Sequence, residues 1–445
     1  MKSDTSSFGQ PSTVKYESAL IDPPELEDQE DTLLEKIKTL MSKMAEWIEY
    51  LLQFVPFVNS RKKRDVRQKD TEKFEKKKLK IFIGTWNMHG KLPPYNLNPF
   101  IEPPSTKHEV KDLYLKRNHN HPYHILVIGT QECQHNIKHS VLFPSKEEWE
   151  QRLKTYLGDD YILVKTETMA ALHLAVFVWE RCKDWVKDYQ HGEVPTGFAN
   201  LFGNKGGIGI SLLFGNTSLC FINSHLAAHQ DKVKERNHDV KKICKELKLK
   251  GFSPSDKVFT NVTDRFDYTF WFGDMNYRVD LERSRVDDLI RQNDIETLLK
   301  SDQLSYELKS FPYFKGFNEA PLNFYPTFKL DITHRVSHYN QEHPPLISYQ
   351  SSPALIESGT LRYDSSDKQR VPSWTDRILW KSRNIKKKVD VDVLSYTSQM
   401  NVVGFSDHRP VTGCFLVDFD WNQASQEAKK KLKSRKKRRR FLLYI

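Results

Sequence analysis

From Ile81 onward the chain is a series of short apolar runs, many of which end in a polar side chain, and this pattern narrows the possible folds more than any other feature. The runs include Ile81–Asn87, His124–Glu132, Ala175–Trp179, Gly207–Leu213, Leu219–His225, Phe270–Asp274 and Val411–Val417. Each has the length of a buried strand, and several are rich in β-branched or aromatic residues. Helical patterns lie between some of them, at Lys146–Leu157, Val233–Leu247 and Ser284–Leu299. Many apolar strands with interspersed helices predict an α/β fold of two packed, mostly antiparallel sheets flanked by helices. With 445 residues and 38% hydrophobic content, a large core is within reach.

The flanks read differently. Residues 1–30 are polar and acidic and predict disorder. Leu34, Ile37, Met41, Met44, Ile48, Leu51 and Val55 then recur at helical spacing, giving an amphipathic helix over 31–58, and 59–78 is a basic linker. Residues 420–445 form a polybasic tail, with ten basic residues and no acid within 429–440. Removing those ten from 69 Lys and Arg leaves 59 against 58 acids, so the body of the chain is close to neutral. That argues against a broad nucleic-acid surface, and no nucleic-acid partner is expected. Five scattered cysteines without a Cys-x-x-Cys pair indicate neither a zinc site nor a disulfide framework, so reduced cytosolic thiols are expected. Residues 331–360 lack periodicity and read as a surface insertion.

Asn87, Glu132, Asn223 with His225, and Asp274 with Asn276 all stand at or just past the end of an apolar run, while Asp407 and His408 precede one. Strand ends that feed one face are where sites assemble. Oxygen donors without thiols suit Mg²⁺. From residue type, Glu132 is the first metal ligand, with Asn87 nearby. Asp274 is the base for a water molecule. Asn276, two residues on in an extended segment, would share its face and orient the same water. Asp376 would pair with His408 and favour its charged form, and Asp407 suits a metal or a brace for His225. Taken singly, each residue has an ordinary reading as a cap, turn or ion pair; their joint occurrence at strand ends is what points to phosphate-ester hydrolysis.

Two longer segments carry a resemblance. Trp271-Phe272-Gly273-Asp274-Met275-Asn276-Tyr277-Arg278 and Pro372-Ser373-Trp374-Thr375-Asp376-Arg377-Ile378-Leu379 resemble the two signatures of the inositol polyphosphate 5-phosphatases, in the endonuclease/exonuclease/phosphatase superfamily. Gly84–Asn87, Gln131-Glu132, Asn204–Gly207, Ser224–His229 and Ser406–Pro410 match in the family's order, so the resemblance covers about residues 79–419. It implies a four-layer α/β sandwich and Mg²⁺-dependent hydrolysis of a 5-phosphate by water in a single displacement. It assigns Glu132 and Asn87 to the metal, Asp274 to water activation with Asn276 beside it, His408 paired with Asp376 to the scissile phosphate, and His225 and Asp407 to completing the site. Lys205 and Arg377 are further phosphate candidates. Relatives read a neighbouring 4-phosphate through a Thr-Tyr-Lys segment and a later Lys; here these are Thr327-Phe328-Lys329 and Lys368, and Phe328 lacks the hydroxyl. The Ser-Trp-Thr-Asp form of the second signature looks more like the lipid-preferring type IV branch.

A phosphoinositide substrate would place the tail against an anionic membrane, where Lys and Arg contribute on the order of 1 kcal/mol each. The expected location is the cytosolic face of a membrane, with nuclear targeting as the competing reading of the tail. The 31–58 helix suits an interfacial helix, a coiled-coil face for a protein partner, or a helix docked on the enzyme. A soluble inositol polyphosphate 5-phosphatase and a non-catalytic membrane scaffold are the alternatives.

Overall fold

The computed structural model describes residues 78–93, 96–101, 123–133, 146–197, 205–332, 362–383, 391–399, 405–419 and 421. The 31–58 helix, nearly all of the linker and tail, and most of the 331–360 insertion lie outside these residues.

Twelve strands are present among the described residues: β1 (Lys78–Asn87), β2 (Ile125–Gln131), β3 (Tyr161–Met169), β4 (Leu172–Trp179), β5 (Val186–Pro195), β6 (Gly206–Phe214), β7 (Thr217–His225), β8 (Tyr268–Asp274), β9 (Asn318–Glu319), β10 (Asp376–Ser382), β11 (Val391–Ser398) and β12 (Val411–Asp418). They form two six-stranded sheets, ordered β11-β12-β1-β2-β4-β3 and β5-β6-β7-β8-β10-β9. The helices are α1 (Asn98–Ile101), α2 (Glu147–Leu157), α3 (Val233–Glu246), α4 (Arg283–Arg291), α5 (Ile295–Leu299) and α6 (Gln303–Ser310). The expected pair of mostly antiparallel sheets flanked by helices is present. The single helix expected over Ser284–Leu299 is two, because Asn293 adopts φ +58 between them, a left-handed turn that interrupts a helix.

The burial pattern shows how the strands are layered. Along β8, Phe270 and Phe272 belong to the core between the sheets, whereas Trp271 joins a second core with Ile222, Val240, Ile243 and Phe314 on the outer face. This alternation is the two-residue period of a strand covered on both faces. At Gly207 a Cβ would lie 2.8 Å from Ile243 Cδ1, so glycine lets α3 approach the sheet closely.

Each sheet contains one parallel pair. β1 runs parallel to β2 with Asn87 opposite Gln131, and β7 runs parallel to β8 with His225 opposite Asp274. β1 and β2 pack against β8, and β2 also packs on β7. The carboxyl ends of both pairs therefore meet at one end of the sandwich. β10 is antiparallel to β8, and its first residue, Asp376, is in register with Asp274. Register alone thus aligns His225, Asp274 and Asp376 across neighbouring strands.

Candidate active site

Asp274 sits at the centre of this end and is only 2% exposed. Asn87 Nδ2 donates to Asp274 Oδ2 at 3.0 Å, joining the two sheets across the site, and approaches Glu132 Oε1 at 3.4 Å. His225 Nε2 lies 3.2 Å and His408 Nε2 3.8 Å from the same Asp274 oxygen. Burial alone would raise the Asp274 carboxyl, but His408, His225 and Lys205 outweigh it and hold the group well below the usual carboxylate range. Asp274 is therefore an anion throughout the working pH range.

His408 is the counter-charge. Its Nδ1 is 2.9 Å from Asp376 Oδ2, and that oxygen also accepts hydrogen bonds from Thr327 Oγ1 at 2.6 Å and Thr375 Oγ1 at 2.9 Å. Burial works against a charged imidazole, yet Asp376 and Asp274 push its pKa up to about 9. The pairing fixes Nδ1–H on Asp376 and turns Nε2–H toward the cleft. One oxygen each from Asp274 and Asp376 and one nitrogen from His408 lie within 4.8 Å of one another, close enough to share a metal. In its charged form His408 has no lone pair to give, and the three groups then act as a charge pair.

Lys205 Nζ contacts His225 Nε2. Burial lowers Lys205 to about 8, and burial together with Lys205 lowers His225. The neutral His225 thus offers Nε2 either to Asp274 as a donor or to Lys205 as an acceptor. The charge assignments predict the alkaline behaviour of turnover. The His408 imidazolium is raised, so it is present below about pH 9 and lost above it, and the Lys205 ammonium is lost from about pH 8. Its contribution to stability is likewise complete below the ordinary histidine value of 6.5 and lost as pH rises through about 9. kcat/KM measured from pH 6 to 10.5 should fall across roughly pH 8–9; a profile flat to pH 10 would exclude a charged His408 from the reaction.

Several residues stand differently from the sequence expectation. Asn276 is not in an extended segment: its φ is +57. Its backbone N–H donates to Asp274 Oδ1 at 3.1 Å, while its side chain is used by Leu226 O and the Arg278 guanidinium. It therefore positions Asp274 through the backbone, and its amide is not aimed at a water molecule. Asn87, expected on the metal, turns an N–H toward the acids, and its Oδ1 accepts from His89 N at 3.1 Å. Asp407 does not brace His225. Its Oδ1 lies 3.0 Å from His89 Nδ1, buried without an aligned hydrogen-bond donor. Asn223 lies within the core, donating to Thr130 O and His173 O of the opposite sheet at 3.1 and 2.9 Å. Arg377, expected on phosphate, points away from the site. It is fully buried between Asp302, at 3.0 Å to both oxygens, and Glu319, at 2.6 Å from its Nε. Because β10 alternates faces, Asp376 on one side of the site sends its neighbour to the other side of the sheet.

The segment Thr327–Leu330 threads between the two halves of the site: Phe328 pairs with Ser373, Leu330 N donates to Asp407 O, and Arg409 N donates to Thr327 O. This brings Phe328 over His408, with ring centroids 4.5 Å apart, and places the Arg278 guanidinium 4.3 Å over the Phe328 ring. A phenyl face between two cations is favourable, which gives Phe328 a use that needs no hydroxyl. Lys329 is half-buried beside Asp407 and Asp364, and Lys368 is exposed. Ser373 and Thr375 each use their hydroxyl. Ser373 Oγ accepts from Val279 N at 3.0 Å, tying the chain beyond the first signature to the second. His89 was missed in the sequence; only its place two residues beyond a strand-end Asn pointed to it.

Glu132 bends sharply out of β2 at φ +49. Gly273 has φ +132, and a Cβ there would lie 2.1 Å from Ser224 O, so only glycine allows β8 to deliver Asp274 in register with His225.

The pattern of the endonuclease/exonuclease/phosphatase family 2 matches residues 84–414. The chain belongs to this family. Among its relatives is phosphatidylinositol polyphosphate 5-phosphatase type IV from Homo sapiens, 33% identical over 354 residues, covering 77% of this chain and 47% of the relative. Another is synaptojanin-1 from Rattus norvegicus, 29% identical, covering 80% of this chain and 22% of the relative. This chain thus spans under half the length of these relatives. The inositol polyphosphate 5-phosphatase domain of a synaptojanin, solved with inositol (1,4)-bisphosphate and calcium, superposes with a TM-score of 0.57 at 27% identity, covering 85% of this chain and 98% of that domain. These relatives bear out the resemblance read from the motifs. A Cimex nitrophorin, bound to nitric oxide in its ferrous state, shares the fold at 20% identity and a TM-score of 0.52. The family's fold therefore does not dictate activity, and the argument for function rests on the site.

Proposed function

We propose that this chain hydrolyses the 5-phosphate of phosphoinositide lipids with water as the acceptor and Mg²⁺ as cofactor, on the cytosolic face of a membrane. The observation that carries this is Asp274, a buried carboxylate fixed between Asn87, His225 and His408 at the meeting point of the two sheets. The relatives' names support the substrate class, and the polybasic tail supports the membrane.

The donor set fits a hard divalent cation. Glu132 and Asp407 offer carboxylate oxygens, hard donors that suit such an ion; Asp407 Oδ1 faces His89 Nδ1 at 3.0 Å and would exchange that partner for the cation. When bound, the ion supplies charge neutralisation of the phosphoryl oxygens. The chain's own residues do the rest. Asp274 accepts a hydrogen bond from the water and orients it in line with the phosphorus. Its low pKa makes it a weak base, which suffices because the attacking water in a loose phosphoryl-transfer transition state sheds its proton late. His408 donates Nε2–H to a phosphoryl oxygen, its ring held in that orientation by Asp376 at Nδ1. Lys205 adds positive charge from the opposite side, and Lys329 and Lys368 supply cations for a neighbouring ring phosphate.

The test is a phosphate-release panel over 5-phosphorylated phosphoinositides and soluble inositol phosphates, with and without a chelator, for the native chain and for Asp274→Ala and His408→Ala. Release from lipids that needs the divalent ion and is lost in both variants is expected. Release by both variants at the native chain's rate sinks the proposal, and release from soluble substrates alone would replace the lipid reading with the soluble one.

A further inference from the structure

Gln303, the first residue of α6, is 8% exposed and uses its whole amide inward. Oε1 accepts from Arg278 N at 2.9 Å and from Arg236 Nη2 at 2.7 Å, while Nε2 donates to Gln230 O at 3.0 Å. Its backbone N–H donates to Arg278 O at 2.9 Å. The two segments it grips are those that leave the central parallel pair. Gln230 belongs to the loop that follows His225, and Arg278 to the turn that follows Asp274.

Both attachments are extended by buried guanidinium groups. Arg236 donates to Ala227 O at 3.1 Å and His229 O at 2.6 Å, fixing the loop beyond β7. Arg278 donates to the Asn276 backbone and side chain, and Asn276 N–H in turn holds Asp274. A polar residue at the start of a helix ordinarily faces solvent; here a planar amide, with an acceptor and donors in one group, joins three donors and acceptors at one point.

We propose that Gln303 is a positioning residue for the hydrolytic centre: it fastens together the two chain segments beyond His225 and Asp274 and so sets their spacing. This rests on the functional reading above. Gln303→Leu removes the clamp; Gln303→Glu keeps the acceptor for Arg278 N and for Arg236, which still reaches the loop at Ala227 O and His229 O, but sets an oxygen against Gln230 O in place of the amide donor.

The experiment combines kinetics on phosphatidylinositol 4,5-bisphosphate in mixed vesicles with amide hydrogen exchange of the full chain. Misplacement of reacting groups by an ångström costs on the order of 10²-fold. Gln303→Leu should therefore lower kcat by about 10- to 100-fold with KM within about threefold, and Gln303→Glu, which keeps the Arg278 and Arg236 bonds, should retain a kcat between those of Gln303→Leu and the native chain. Exchange in Gln303→Leu should quicken together in 226–230 and 275–279 while the remaining strands stay protected. Unchanged kcat in Gln303→Leu overturns the inference. So does a loss that matches the loss of folded protein and that Gln303→Glu shares. Should Gln303→Leu not fold, Gln303→Asn withdraws the amide by one methylene and is read the same way. If the native chain releases phosphate from no phosphoinositide, the functional reading falls, and exchange alone decides the clamp: paired quickening supports it, and unchanged or global exchange overturns it.

Discussion

Asp274→Asn should lower kcat for phosphate release by about 10²- to 10⁴-fold, the range expected when a positioned acid–base group is lost, with little change in KM. The substitution is nearly isosteric and retains an oxygen for Asn87 Nδ2, which now lies 3.0 Å from Asp274 Oδ2. What it removes is the negative charge facing His408, His225 and Lys205, together with the Oδ1 acceptor for Asn276 N–H. Two consequences follow from the one change. A water molecule loses its strongest acceptor, and the His408 imidazolium loses one of the three carboxylates (Asp376, Asp274 and Asp407) that raise it, so the alkaline limb of the pH profile should move below about 9. Steady-state kinetics across pH read both. A raised KM with an intact kcat would instead make Asp274 a ground-state contact.

Arg377→Met should destabilise the fold by about 3–5 kcal/mol, the cost of stranding a partner of a buried ion pair. Arg377 is fully buried, and its removal leaves the Asp302 and Glu319 carboxylates without their cation. Asp302 also caps α6 by accepting from Ser305 N at 2.9 Å, so the disturbance reaches the helix that carries Gln303. Urea denaturation followed by circular dichroism should show a lower midpoint at unchanged slope. Unaltered stability combined with a raised KM would return Arg377 to the phosphate, where its place in the second signature had suggested it belonged.

These two residues show what the sequence made legible and what it did not. Asp274 was readable because an acid that ends an apolar strand has no packing reason to be there, and the two-sheet architecture followed from the same runs. The Asp376–His408 pairing was readable from residue type, and it is present at 2.9 Å. Arg377 was misread because a cation beside a signature acid looks like a ligand, whereas the alternation of β10 turns it to the opposite face. Asn276 was misread for the converse reason: spacing of two implies a shared face only while the chain stays extended, and a left-handed residue ended the strand first. Edge strands such as β5, half exposed along most of its length, carry no apolar run to announce them. Gln303 was invisible because its importance lies in contacts with Gln230, Arg236 and Arg278, which only the tertiary fold brings together.

The most direct measurement is a single turnover of phosphatidylinositol 4,5-bisphosphate by the native chain in ¹⁸O-labelled water, with both products identified. Hydrolysis by a water molecule oriented on Asp274 predicts phosphatidylinositol 4-phosphate and inorganic phosphate carrying one labelled oxygen, with none in the lipid. The 5-phosphate isomer as product, or label in the inositol hydroxyl, would contradict it.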